Sequence, residues 1–148
     1  MSAKREAVPA SLVPVLEMLH RLEGASLFRY LADSPSYVSP QAGRWMPVLK
    51  KMGEASHARL AALEIFLDDG VGTTRPVHYP SHFASLHYLS LTYLRGRLMS
   101  DKQALAAGYA QAVQSMEGEA ESAVTRFIQD VAATHKSDLA ILQALSPQ

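Results

Sequence analysis

The chain has 148 residues, enough for one domain with a hydrophobic core, and we expect a single domain over residues 1–148. Fourteen basic and fourteen acidic residues balance to zero net charge, which argues against a nucleic-acid partner or an anionic membrane surface. The absence of cysteine excludes disulfides, thiolate zinc sites and cysteine nucleophiles. No apolar run approaches the roughly 18 residues that a membrane span needs, so we expect a cytoplasmic protein.

The first half of the chain predicts two helices. Leucine and alanine dominate the apolar residues, which favours helix over strand. After a lead of residues 1–10, apolar residues recur at helical spacing over 11–32. A second pattern covers 39–69 and ends at Gly70. Pro47 either kinks this second helix or marks its true start.

The second half predicts two more helices after a long connection. Residues 70–80 lack helical periodicity, and 81–116 then form a helix that is either continuous or interrupted near Gly96 or Ser100. A fourth helix covers 117–145. The eleven-residue connection extends to at most about 36 Å, just enough for one crossover between parallel helices. We therefore expect an all-α four-helix bundle of two antiparallel hairpins joined by one long crossover.

Ionisable residues fall where the helical stripes require apolar ones. Glu23 lies in the stripe of the first helix, Asp101 in that of the third, and His135 in that of the fourth. In the second helix, whose stretch "GEASH" spans residues 53–57, His57 lies near the margin of the stripe and Glu54 further round the side. A buried carboxylate is unfavourable unless it is paired, hydrogen-bonded or bound to a metal. These positions are candidates for a site between the helices.

With these residues the chain resembles the ferritin-like superfamily, specifically the bacterioferritin and rubrerythrin type of bundle. Glu23 followed seven residues later by Tyr30 matches the family's first helix, and Glu54-x-x-His57 matches the ExxH pair of its second. Asp101 is the best candidate for the single acid of the third helix. The resemblance spans roughly residues 11–145 and implies a carboxylate and histidine metal site in the bundle core.

The fourth helix departs from the family pattern. The second ExxH pair is expected at residues 132–135, where Ala132 replaces the bridging carboxylate and His135 remains. The two helical pairs share one spacing. Glu23 and Glu54 are 54 − 23 = 31 residues apart, and Asp101 and Ala132 are 132 − 101 = 31 residues apart. This spacing is typical of a duplicated hairpin. The departure implies a single ion or an asymmetric pair of ions in place of a symmetric di-iron centre.

Two hypotheses about function remain open. The resemblance implies iron, manganese or zinc bound by five ligands, Glu23, Glu54, His57, Asp101 and His135, with oxidase or peroxidase chemistry by analogy. The alternative is a non-enzymatic helical scaffold that has lost the site, in which Glu54 is solvated, Asp101 caps a helix and His135 is a hydrogen-bonded core residue. We expect a homodimer in either case, and the scaffold hypothesis places exposed Leu and Tyr side chains and Trp45 at its surface.

Overall fold

The computed structural model describes residues 7–33, 45–70, 79–80 and 91–145, and side chains of 91–93 are outside the description. Its helices are α1 (Val13–Gly24), α2 (Leu27–Asp33), α3 (Met46–Asp69), α4 (Leu91–Ser115) and α5 (Ala123–Ala144), with a short 3-10 helix, Ala10–Leu12, before α1. These ranges contain no strand, which confirms the all-α prediction for the described residues. No described helix is long and apolar enough to cross a membrane.

The first predicted helix is divided into α1 and α2 by a break after Gly24. Arg29 donates a hydrogen bond from Nη2 to the carbonyl oxygen of Gly24, at the end of α1. At the start of α2, the Asp101 carboxylate accepts hydrogen bonds from the Ser26 hydroxyl at 3.3 Å and from the Leu27 backbone N–H at 3.2 Å. The prediction of one continuous helix was wrong because these side chains bond the backbone groups that the break leaves without helical partners.

The start of α3 resolves the question about Pro47. The helix begins at Met46, so Pro47 lies in its first turn, where a missing N–H removes no helical hydrogen bond. The second alternative, that Pro47 marks the true start, is therefore confirmed. Residues 34–44, which include the predicted earlier start, and residues 71–78 of the predicted crossover lie outside the described residues.

The two later helices refine the prediction, although residues 81–90, where the third helix was expected to start, lie outside the described residues. α4 continues through Gly96 and Ser100 without interruption. α5 starts later than predicted, because Ser122 and Thr125 form a reciprocal capping box at its beginning. Gly118 lies in the short link between the two helices with φ 87°, a conformation that favours glycine.

Two apolar clusters, one near each end of the helices, show how the helices are oriented. The first contains Leu27, Phe28, Leu49, Met52, Leu94, Leu98 and Leu142. The second contains Leu12, Leu16, Leu63, Leu67, Tyr109, Met116, Val124 and Ile128. The beginning of α3 therefore lies with α2 and the beginning of α4, whereas its end lies with the beginning of α1 and the end of α4. It follows that α1 and α2 run antiparallel to α3, α4 runs antiparallel to α5, and α3 and α4 run in the same direction.

Gly53 allows α2 and α3 to approach closely. A Cβ atom added to Gly53 would lie 2.5 Å from Cβ of Ala32 and 2.8 Å from the carbonyl oxygen of Phe28. Both distances are far shorter than a carbon–carbon or carbon–oxygen van der Waals contact. The first residue of the "GEASH" stretch is therefore a packing residue.

Trp45 does not belong to an exposed contact surface. Its side chain is buried, with 4 % of its area exposed, and packs in the first apolar cluster. The guanidinium carbon of Arg95 lies 5.9 Å from the centroid of the indole ring. The expectation that Trp45 contributes to a dimer surface was wrong, because the ring contributes to the core of its own chain.

Candidate functional site

The Glu23 side chain lies completely buried on α1, where the two apolar clusters meet. Its Oε1 atom accepts hydrogen bonds from Arg59 Nε at 2.7 Å, Tyr109 OH at 3.0 Å and His135 Nε2 at 3.0 Å. Its Oε2 atom accepts one from the Ser56 hydroxyl at 2.9 Å. The donors come from α3, α4 and α5, so one carboxylate links α1 to the other three long helices.

A buried lysine extends these contacts on the far side of the histidine. Lys102, on α4, is completely buried, and its Nζ lies 3.2 Å from His135 Nδ1 and 3.3 Å from Asp138 Oδ2. It also lies 4.5 Å from the centroid of the Phe28 ring. We call this group the central network; its members are Glu23, Ser56, Arg59, Lys102, Tyr109, His135 and Asp138.

The proton positions in the central network follow from the charge of Glu23. Burial alone raises the pKa of Glu23, but the hydrogen bond from His135 and the charge of Arg59 outweigh it and lower the pKa to about 2. An ionised carboxylate only accepts hydrogen bonds, so His135 Nε2 must carry a proton. Its Nδ1 then accepts from the Lys102 ammonium, which makes His135 a neutral imidazole with both ring nitrogens bonded.

Burial favours the neutral forms of His135, Lys102 and Tyr109, and the neighbouring charges act with it or against it. Burial lowers the pKa of His135 against the opposing hydrogen bond and charge of Glu23, and lowers the pKa of Lys102 against the charge of Asp138. Burial and the Glu23 charge both raise the pKa of Tyr109, so its phenol stays a neutral donor. The central network thus pairs two acidic residues, Glu23 and Asp138, with two basic residues, Arg59 and Lys102.

The five predicted metal ligands lie in different places. Glu23 and His135 meet in a direct hydrogen bond. Asp101 is partly buried and caps α2, and burial raises its pKa to about 6 although the Leu27 N–H and the charge of Lys102 oppose this. Glu54 is exposed on α3 and His57 is half-buried there. Across the described residues, which include all five, no group of three or more His, Asp or Glu side chains is close enough to hold a metal ion.

The inward-facing stripe of α4 differs from the prediction by one residue at the position of Asp101. The prediction places Asp101 in this stripe, whereas the buried positions include Leu98, Lys102, Leu105 and Tyr109. The series 98, 102, 105, 109 also follows steps of four and three, so the pattern contained the correct alternative. Lysine is rarely fully buried without a partner, and that is why Lys102 was overlooked.

Ser56 and Arg59 were missed for a similar reason on α3. The apolar series of α3 is interrupted between Met52 and Leu60, where Ser56 and Arg59 point inward. A polar residue that fills a gap in an apolar series is a signal for a buried hydrogen bond. Within "GEASH" it is therefore Ser56, and not Glu54 or His57, that contacts the central network.

Among the described residues, the central network leaves one of its buried donors unsatisfied. Arg59 Nη2 is a buried donor without a hydrogen-bond partner among the described residues, whereas its Nε makes the shortest hydrogen bond to Glu23.

Comparison of the chain with protein-family models, with curated proteins and with solved structures gave no match.

Proposed function

We propose that this chain is a non-enzymatic helical scaffold with a ferritin-like bundle, in which protein side chains occupy the place of a metal centre. The observation that carries the proposal is the set of four hydrogen bonds to the Glu23 carboxylate. A carboxylate that binds a metal gives its lone pairs to the ion. Here three donors already converge on Oε1, and the Arg59 guanidinium supplies the positive charge that an ion would supply.

The histidine supports the same proposal. A histidine that binds a metal uses one ring nitrogen for the ion and the other for an orienting hydrogen bond. In His135, Nε2 bonds Glu23 and Nδ1 bonds Lys102, so both nitrogens have protein partners. Lys102 thus acts as an internal cation between His135 and Asp138.

The arrangement of the helices supports the ferritin-like part of the proposal. α3 and α4 run in the same direction, whereas each pairs with an antiparallel neighbour. A bundle with this order of directions needs one long crossover between its second and third long helices. The equal spacing of 31 residues between Glu23 and Glu54 and between Asp101 and Ala132 agrees with a duplicated hairpin.

The competing proposal is a metal-binding protein that uses iron, manganese or zinc, and elemental analysis separates the two. The tag-free chain is exposed to Fe(II), Mn(II) or Zn(II), desalted and analysed for metal. We expect no stoichiometric metal. Stoichiometric metal that is lost in Glu23→Gln but retained in the matched variant Glu54→Gln would overturn the scaffold proposal and place the ion at the central network.

A further inference from the structure

The side of α3 that faces away from the core carries a regular pattern of exposed residues. We call it the outer face; its members are Lys50, Lys51, Glu54, Ala58, Ala61, Ile65, Asp68 and Asp69. Successive positions from 51 to 68 are three or four residues apart, so they line one side of the helix. Ile65 is 51 % exposed in the middle of this charged surface.

The charges of the outer face are arranged against the helix dipole. The basic pair Lys50 and Lys51 lies in the half of α3 nearer its N-terminus, whereas the acidic pair Asp68 and Asp69 ends the helix, whose last turn has no basic residue. The dipole favours acidic residues at the beginning of a helix and basic residues at its end. The stability of α3 alone therefore does not explain this charge pattern.

The pattern is self-complementary under twofold symmetry. A twofold axis perpendicular to α3, midway between positions 59 and 60, brings two copies of the helix together in antiparallel orientation. Positions 51 and 69 lie on one edge of the outer face and positions 50 and 68 on the other, so the axis places Lys51 of one copy beside Asp69 of the other, and Lys50 beside Asp68. This register brings both pairs to nearly the same height, whereas a parallel arrangement places like charges together.

We propose that the outer face of α3 is the contact surface for a second copy of this chain, in an antiparallel homodimer. Ala58 and Ala61 lie opposite each other at the axis, where small side chains let the two helices approach closely. Ile65 of each copy packs on the aliphatic part of Glu54 of the other, which removes its exposed area from water. Both contacts occur twice, as a twofold interface requires. A chain of zero net charge also has no overall repulsion that opposes association.

This dimer would give the exposed Glu54 a role that does not involve metal. It rests on the proposed function, since a scaffold acts through its surfaces, but it is tested by molecular mass and not by metal content. A metal-free monomer would therefore contradict the dimer alone, and a metal-binding dimer would contradict the proposed function alone.

The experiment measures molar mass by sedimentation equilibrium over a range of protein concentrations. We expect a dimer for the unmodified chain, with a dissociation constant that rises at least about tenfold in Lys50→Glu and in Asp68→Lys, because each reversal creates two repulsive pairs per dimer. Asp130→Lys changes an exposed acid on α5 by the same charge. This control should dimerise as the unmodified chain does.

An equimolar mixture of the two reversal variants provides the sharpest test. In the mixed dimer, Glu at position 50 meets Lys at position 68, and the original Lys50 meets the original Asp68, so both ends are attractive again. We expect the mixture to recover the dimer that each variant alone has lost. A monomeric unmodified chain, or a dimer that neither reversal weakens, would overturn the proposal.

Discussion

Two pairs of glutamate and histidine lie in contrasting environments in this molecule, one in the core and one at the surface. Glu23 and His135 lie in the core, where four donors surround the carboxylate and both ring nitrogens are bonded. Glu54 lies on the exposed outer face of α3, with His57 half-buried beside it. The residue types are identical, but the first pair joins α1 to α5 in the core, whereas both members of the second lie on the outer part of α3. Glu54 and Ser56 are only two residues apart on α3, but Glu54 is a surface charge whereas Ser56 belongs to the central network.

The comparison also shows how a charge can be stable inside a bundle. An isolated ionised carboxylate in an apolar interior is strongly unfavourable. Glu23 remains ionised because Arg59, Tyr109, His135 and Ser56 all donate to it. Such a network adds little net stability compared with an apolar core of the same shape, but the loss of one member leaves the others buried and unpaired. The following predictions test that asymmetry.

The largest expected effect is the loss of the Glu23 carboxylate. Glu23→Ala should lower the free energy of unfolding by about 3–5 kcal/mol, because Arg59 then remains buried without its counter-charge. The matched variant Glu54→Ala should change it by no more than about 0.5 kcal/mol, since Glu54 faces water. Urea unfolding of both variants measures the difference. Similar losses in the two variants would contradict the contrast between the core pair and the surface pair.

A second prediction concerns the stability of the folded chain at acidic pH. The pKa of Glu23 is lowered in the folded chain, from an ordinary 4.5 to about 2. The stability that this shift contributes is therefore fully present above about pH 4.5 and is lost as the pH falls towards 2, by up to about 3 kcal/mol. Urea unfolding between pH 2 and 6 should show this loss. Glu23→Gln should have a lower free energy of unfolding at neutral pH, and that free energy should depend less on pH between 2 and 6. If the variant lost stability in acid as steeply as the unmodified chain does, Glu23 would not be the source of the loss.

The all-α class and two of the seven members of the central network could be predicted, and the reasons are physical. A regular series of apolar residues in α1 and α5 marks Glu23 and His135 as inward-facing, because helical spacing is a local property. The partners are set by neighbouring helices. A change of one residue turns a helix position by about 100°, which was enough to select Asp101 in place of Lys102. The break between α1 and α2 depends on a carboxylate 75 residues away in the chain, which local patterns do not contain.

A third prediction uses Asp101, whose pKa shift has the opposite sign. Burial raises its folded pKa to about 6, above the ordinary 3.8. The folded chain therefore binds more protons than the unfolded chain between these values, and the contribution of Asp101 to stability is lost as the pH rises from about 4 to 6. Relative to the unmodified chain, Asp101→Asn should gain about 2 kcal/mol over this range. Chemical unfolding of both proteins at several pH values measures this; parallel curves would contradict the assignment.

The last prediction compares two glycines, one that faces a neighbouring helix and one that faces outward. Gly53→Ala should destabilise the chain by about 1–3 kcal/mol, because the new methyl group collides with Ala32 and with the backbone of Phe28. At Gly96, on α4, no atom lies within 4 Å of an added Cβ. Gly96→Ala should therefore stabilise the chain by about 0.5–1 kcal/mol through helix propensity alone. Thermal unfolding of the two variants should shift in opposite directions, and a shift in the same direction would mean that α2 and α3 are not in close contact at Gly53.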